Sequence, residues 1–291
     1  MDWVNAVAQG LLLGGLYAML ATGLSLVFGV MRLVNLAHGD LGLVAAFLAI
    51  VIVGATGINP FLSLLIIVPL MMVIGYGLQR LVLNRTIDGG VLSPVLVTFG
   101  LAVVLQNLLL TTFTADSRGL DVGVLETASL QVVDRVRVGW LPLITLIVAV
   151  GMLVALQLTL DRTRLGRALR AASDDNEAAR MVGIDHRHLF GVAMAIALGT
   201  VAVGGVFLGI RTTFAPTDGP ANLIFAYEAV IIGGLGSLWG TLLGGIILGV
   251  SQTVGGHVNP AYQILAGHLV FLAILLLRPE GLFPRPGVRQ S

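Results

Sequence analysis

Apolar residues fill stretch after stretch of this chain, at about 6–29, 40–56, 60–78, 93–114, 140–160, 189–210 and 261–277. Each is long enough to cross a hydrocarbon layer of ~30 Å as a helix. A further apolar stretch, 223–256, is too long for one helix and is interrupted by "GGLGSLWGTLLGG". It predicts two short helices joined by a glycine-rich turn, either two tilted spans or a re-entrant hairpin, and both options leave the chain on the same side. The pattern therefore predicts an all-α fold, a polytopic transmembrane helical bundle of about 8 spans including that glycine-broken or re-entrant segment. No polar stretch is long enough for a soluble domain. Residues 1–291 are expected to form a single transmembrane domain, with the longest polar segment, 161–187, as its main loop. No basic segment precedes the first apolar run, which reads as an uncleaved first helix rather than a signal peptide.

The polar positions set the orientation. Arg162, Arg164, Arg167, Arg170, Arg180 and Arg187 crowd the 161–187 loop, and Arg278, Arg285 and Arg289 crowd the C-terminal tail. Basic loops stay on the cytoplasmic side. Counting spans from the 161–187 loop puts 79–90 inside, 115–139 outside and the N-terminus outside. A cytoplasmic C-terminus then requires 223–256 to cross twice or to dip and return, which agrees with its glycine break.

Composition narrows the chemistry. Hydrophobic residues make up 57% of the chain and charged residues 11%, so this is an integral membrane protein, and a formal net charge of +1 gives no general attraction to nucleic acid. Cysteine is absent, which removes disulfides, thiolate metal sites and cysteine nucleophiles. Every basic residue is arginine, so there is neither a Walker A lysine nor a Schiff-base lysine. An intramembrane enzyme would need a nucleophile with its base or a metal cluster, and neither a G-x-S-x-G nor an H-E-x-x-H pattern occurs. No catalytic residue, metal site or cofactor is expected.

Glycine is abundant, with 38 copies. Gly236, Gly240 and Gly244 follow one another at small-xxx-small spacing, as do Gly245 and Gly249, and Gly10 and Gly14, which predicts helices in backbone contact. Asn59-Pro60 and Asn259-Pro260-Ala261 resemble the NPA motif of water and glycerol channels. Each, however, opens a full span, where asparagine suits the N-cap and proline the first helical position. The segments "HGDLGLVAAFLAIVIVGATGINP" and "WGTLLGGIILGVSQTVGGHVNP" share a course from glycine turn through helix to Asn-Pro, a weak internal echo.

Inside the main loop, Ser173 or Asp174 is suited to cap a short helix, Glu177 to complete a capping box, Gly183 to end the helix in the left-handed region and Asp185 to cap the next span. Ala178, Met181 and Val182 would share one apolar face. Glu177-Ala178-Ala179 followed by Gly183 matches the EAA---G pattern of ABC-importer permeases. "GLYAMLATGLSLVFGVMRLVNLAHGD" (15–40), "TFGLAVVLQN" (98–107), "TRLGRALRAASDDNEAARMVGI" (163–184) and "YEAVIIGGLGSLWGTLLGG" (227–245) occur in the order found in branched-chain amino-acid permeases of the LivH type, and the resemblance covers most of the chain. Asp40 stands where glutamate is expected, and Tyr227 where phenylalanine is usual. The resemblance implies an inner-membrane importer subunit for branched-chain amino acids with no cofactor of its own. It further implies a second homologous permease, two ATPase subunits that bind ATP, and an extracytoplasmic solute-binding protein. Glu177, Ala178, Ala179, Met181, Val182 and Gly183 would then couple the chain to the ATPase subunits. A urea or short-amide permease of the same superfamily is the alternative.

Polar residues within spans are the candidates for a substrate pathway. They are Glu228, beside the glycine break and read as lying near the start of a descending helix, and Asn35, His38 and Asp40 between the first two spans. This last group is either unwound backbone lining a cavity or a cytoplasmic turn capped by Asp40. Gln106 and Asn107 sit in an apolar helix, where interhelix hydrogen bonding is a second use for them. His257 and His268 have no metal-ligand partner at helical spacing and are read as packing residues.

Overall fold

The computed structural model describes residues 3–86, 90, 92–133, 136–174, 181, 183 and 185–283. In chain order the helices are α1 (Trp3–Met31), α2 (His38–Thr56), α3 (Pro60–Leu81), α4 (Leu92–Phe113), a single turn α5 (Val124–Thr127), α6 (Trp140–Arg162), α7 (Arg164–Asp174), α8 (His186–Arg211), α9 (Gly219–Gly233), α10 (Leu238–Val258) and α11 (Gln263–Leu277). Among the described residues, eight helical segments are long and apolar enough to cross a membrane.

Two of these form the centre. The most apolar windows of α1 and α8 are 83% and 89% buried, against 6% for the last segment, 260–277, so α3, α4, α6 and α11 form the rim. Small residues decide this. A methyl group at Gly10 would strike Val250 Cα and one at Gly14 would strike Ile246 Cα, so α1 and α10 meet backbone to backbone. The opposite side of α1 does the same with α8, where Gly23 abuts the Ala197 carbonyl. In hydrocarbon, where apolar burial gives no driving force, such approach supplies the dispersion contacts that hold helices together.

The glycine break lies where the sequence pattern puts it, although α9 begins at Gly219 rather than near 223. The Gly234–Ser237 turn includes Gly234 and Gly236 at φ +100° and +79°, and the Ser237 hydroxyl accepts from the Gly240 amide at 3.1 Å to cap α10. Gly240 lies on the Gly233 carbonyl and Gly244 on the Ala229 carbonyl, so α9 and α10 close as a hairpin. The 15 residues of α9 rise about 22 Å, short of a full crossing.

The loops sort to two ends. At one, Ser173 Oγ donates to the Gly29 carbonyl at 2.9 Å, Asn84 Nδ2 to the Arg187 carbonyl at 3.2 Å, and Arg80 pairs with Asp185 at 3.7 Å. At the other, Gln9 Nε2 donates to the Arg137 carbonyl at 2.8 Å and Arg118 exchanges backbone hydrogen bonds with Phe214. The described part of the arginine-rich loop thus lies opposite the described part of 115–139.

Asn59 accepts from the Phe61 amide and Asn259 from the Ala261 amide, each ahead of a proline at the first helical position. Both are caps, as expected. Asp185 likewise caps α8, accepting from the His188 amide at 3.1 Å. Several expectations are corrected. Ser173 lies inside α7 with its hydroxyl donating to the Gly29 carbonyl, and most of the short helix that the sequence suits it to cap lies outside the described residues. Asp40 does not cap α2, which starts at His38 after Ala37. A two-stranded antiparallel hairpin, Ser129–Val133 with Val136–Gly139, also interrupts the otherwise helical fold.

Candidate functional site

The segment between α1 and α2 determines the site. Arg32 takes φ +51°, a strained left-handed conformation for a non-glycine residue, and the chain reverses there. Residues 32–37 then run non-helically back into the bundle, and α2 starts beside the middle of α1, where His38 Nε2 donates to the Leu20 carbonyl at 2.8 Å. Side chains satisfy the unwound backbone: the Leu36 amide donates to Thr98 Oγ1 of α4 at 3.1 Å and the Ala37 amide to Asn35 Oδ1 at 3.0 Å. Irregular backbone at such depth survives only with partners of this kind.

The start of α9 meets the start of α2 at this depth. A methyl group at Gly39 would strike the Gly219 carbonyl, and one at Gly219 would strike the Asp40 carboxyl. Two helix N-termini, pointing in different directions, therefore converge on Asp40. Both dipoles favour negative charge there, which helps a carboxyl with 1% exposure to be tolerated. The Gln106 side chain of α4 lies near the same carboxyl.

Hydrogen bonding at this junction is incomplete. Asn35 Nδ2, His38 Nδ1, Asp40 Oδ1 and the Tyr227 hydroxyl are buried without a hydrogen-bond partner among the described residues. Tyr227 lies by the Asn35 backbone. Each unmet group costs about 1–3 kcal/mol. Four such groups gathered at one junction mark a place where something other than stability sets the residue types.

The structure thus brings Asn35, His38, Asp40 and Gln106 together and leaves out two other candidates. Asn107 faces outward and donates to the Val103 carbonyl of its own helix. Glu228 is two and a half turns beyond Gly219 and so on the opposite face of α9. It lies past the middle of that helix rather than at its start. Its Oε1 meets Nδ1 of the half-exposed His268 of α11 at 2.5 Å, beside a buried pair, Tyr17 hydroxyl to Gln252 Oε1 at 2.5 Å. His268 therefore has a defined partner, and His257 packs edge-on against Trp3. Thr98 has no mark in the sequence, since a threonine in an apolar helix carries no signal that it holds a distant backbone amide.

Of the loop residues, Glu177, Ala178, Ala179 and Val182 lie outside the described residues. Met181 is 83% exposed and Gly183 has φ +84°, the left-handed region expected of a helix-ending glycine.

A membrane bundle with helices that begin inside it, and unmet polar groups where they begin, has the architecture of a transport protein. The family model described as "Branched-chain amino acid transport system / permease component" matches residues 6–277, and the chain belongs to this family. It is 28% identical to the high-affinity branched-chain amino acid transport system permease protein BraD of Pseudomonas aeruginosa, over 99% of this chain and 98% of that one. It is 26% identical to LivH of Escherichia coli, over 99% and 97% of the two chains. To LivM of Escherichia coli it is 31% identical over 51% of this chain and 35% of the relative. No solved structure matches the chain.

Proposed function

We propose that this permease subunit carries branched-chain amino acids inward through the region where α2 and α9 begin. The observation that supports this most is the set of unpartnered groups on Asn35, His38, Asp40 and Tyr227, because a polar cluster at helix starts suits a zwitterion that must leave water. The relatives' names supply the substrate class. The partners on this reading are a second permease related to it, two ATPase subunits at the arginine-rich end and a binding protein at the opposite end. The arginine-rich end is then cytoplasmic and the N-terminus external.

Coupling falls to the loop before α8, through Glu177, Ala178, Ala179, Met181, Val182 and Gly183. A short helix docked in a groove on an ATPase tolerates little added volume. Gly183→Val and Ala178→Arg should insert normally yet lose the ATPase subunits on purification. Retention of the ATPase with normal substrate-stimulated hydrolysis in both would remove the loop from this role.

The substrate is tested by uptake into vesicles carrying the assembled importer and its binding protein. Labelled leucine should accumulate in an ATP-dependent manner. Accumulation of urea or acetamide with none of leucine would replace the amino-acid reading by the amide one.

A further inference from the structure

A cavity of about 250 Å³ opens between α1, α8 and α9 at the end opposite the arginine-rich loop. Arg211, the last residue of α8, and Asp218, which precedes the first residue of α9, both line it. They are not paired with each other: among the described residues, the ion pairs are Arg80 with Asp185, Arg170 with Asp161, and His268 with Glu228. The Arg211 guanidinium makes one hydrogen bond, to the Leu12 carbonyl at 3.2 Å, and Asp218 accepts on Oδ2 from the Ala215 amide at 2.8 Å. The remaining donors of the one and Oδ1 of the other have no hydrogen-bond partner among the described residues. Leu13, Leu16, Phe214 and Phe225 supply apolar wall between them.

An arginine and an aspartate facing one small cavity would ordinarily gain by closing on each other. Held apart by the ends of two helices, they present opposite charges to a third body. We infer that this cavity is an outer docking subsite for the zwitterionic head of an amino acid, Arg211 receiving the carboxylate and Asp218 the ammonium, with an aliphatic side chain against Leu16 and Phe225. Guanidinium matches carboxylate in geometry as well as charge. Drug-sized ligands take roughly 300–1,000 Å³, so the smaller volume here suits a small solute. Asp218 adjoins Gly219, which packs on Asp40, so a solute released here is delivered to the start of α9.

This inference rests on the amino-acid reading, and the test separates the two. Saturation-transfer NMR would be recorded on the assembled importer in nanodiscs without binding protein, using leucine, 3-methylbutylamine, which lacks the carboxylate, and 4-methylpentanoate, which lacks the ammonium. Arg211→Gln and Asp218→Asn should each weaken leucine binding about tenfold or more, the scale of a lost charge-assisted pair. The amine should bind wild type and Arg211→Gln alike, and the acid should bind wild type and Asp218→Asn alike. Ala221→Trp, at an exposed position on the cavity wall, should abolish the signal by filling the space, and carries the test if the charge variants do not fold. Leucine uptake with wild-type signals in all three variants would overturn the subsite and leave the permease reading intact. Uptake of urea without leucine would defeat the amino-acid reading itself, and the subsite with it.

Discussion

Two polar regions of this permease differ in how their side chains are hydrogen-bonded. Where α2 and α9 begin, Asn35, His38, Asp40 and Tyr227 each keep an atom without a partner among the described residues. On the opposite face of α9, Glu228 is paired with His268 and Tyr17 with Gln252. The second region also has unmet atoms, Glu228 Oε2 and Gln252 Nε2, yet each residue has one strong, direct partner on another helix. Interhelix hydrogen bonds of this sort tie α9 and α10 to α1 and α11. At the junction Asn35 Oδ1 serves unwound backbone and His38 Nε2 donates to the Leu20 carbonyl of α1, while Asn35 Nδ2, His38 Nδ1, Asp40 Oδ1 and the Tyr227 hydroxyl have no hydrogen-bond partner among the described residues. A carboxyl in a span is a default functional candidate, and among the described residues two are buried, Asp40 and Glu228; what distinguishes them is that Glu228 has a side-chain hydrogen-bond partner on another helix.

The comparison is broken most severely at Gly219. Gly219→Val would drive a branched side chain into the Asp40 carboxyl and force α9 off α2. Expression of folded protein, followed by size-exclusion profile, should be lost, since overpacking costs about 1–3 kcal/mol even where the surroundings are able to yield. Glu228→Ala should lower the unfolding midpoint by an amount matching about 1–2 kcal/mol, the upper range for an interhelix polar contact in a membrane. His268→Ala should cost a similar amount, and the double variant less than the sum. Additive losses would mean the pair is not coupled.

The two ends are sharpened by labelling. The chain lacks cysteine, so single probes are clean. Ser129→Cys and Ala171→Cys are both at exposed positions. An impermeant maleimide on intact cells should label the first and spare the second; the reverse pattern would invert the assigned orientation. The smallest effect is expected at Asp185. The His188 amide, ahead of Arg80, holds its carboxyl below the usual carboxylate range. That contribution is full above the unfolded value near ~4 and fades as pH falls through the depressed folded one. Asp185→Ala should cost about 1 kcal/mol at neutral pH, and the gap from wild type should close in acid.

Much of the fold was legible because it rests on local chemistry. Asn59 and Asn259 announce caps, the 234–237 turn announces itself in glycine, and Gly10 and Gly14 carry the spacing of a contact they make. The depth of Asp40 was not legible. Leu33, Val34 and Leu36 keep the unwound segment as apolar as the helices around it, so hydropathy does not separate a surface turn from a dip into the bundle. The partner of Glu228 lies forty positions away on another helix, and no helical period reports it. The small hairpin did leave a signal, since Leu130-Gln131 and Val136-Arg137-Val138 alternate at strand period, but the surrounding helical pattern masked it. Arg211 and Asp218 look like ordinary helix-end charges until the return loop brings them to one cavity.

The central claim is that the junction, and not the Glu228 pair, serves transport. Leucine uptake into vesicles carrying the assembled importer, measured beside the unfolding midpoint for Asp40→Asn and Glu228→Gln, tests it most directly. Asp40→Asn should cut uptake about tenfold or more, as loss of a charge-assisted contact implies, with the midpoint near wild type. Glu228→Gln should lower the midpoint, while the folded fraction transports at the wild-type rate. Normal uptake by Asp40→Asn, or failed uptake by a fully stable Glu228→Gln, would contradict the account.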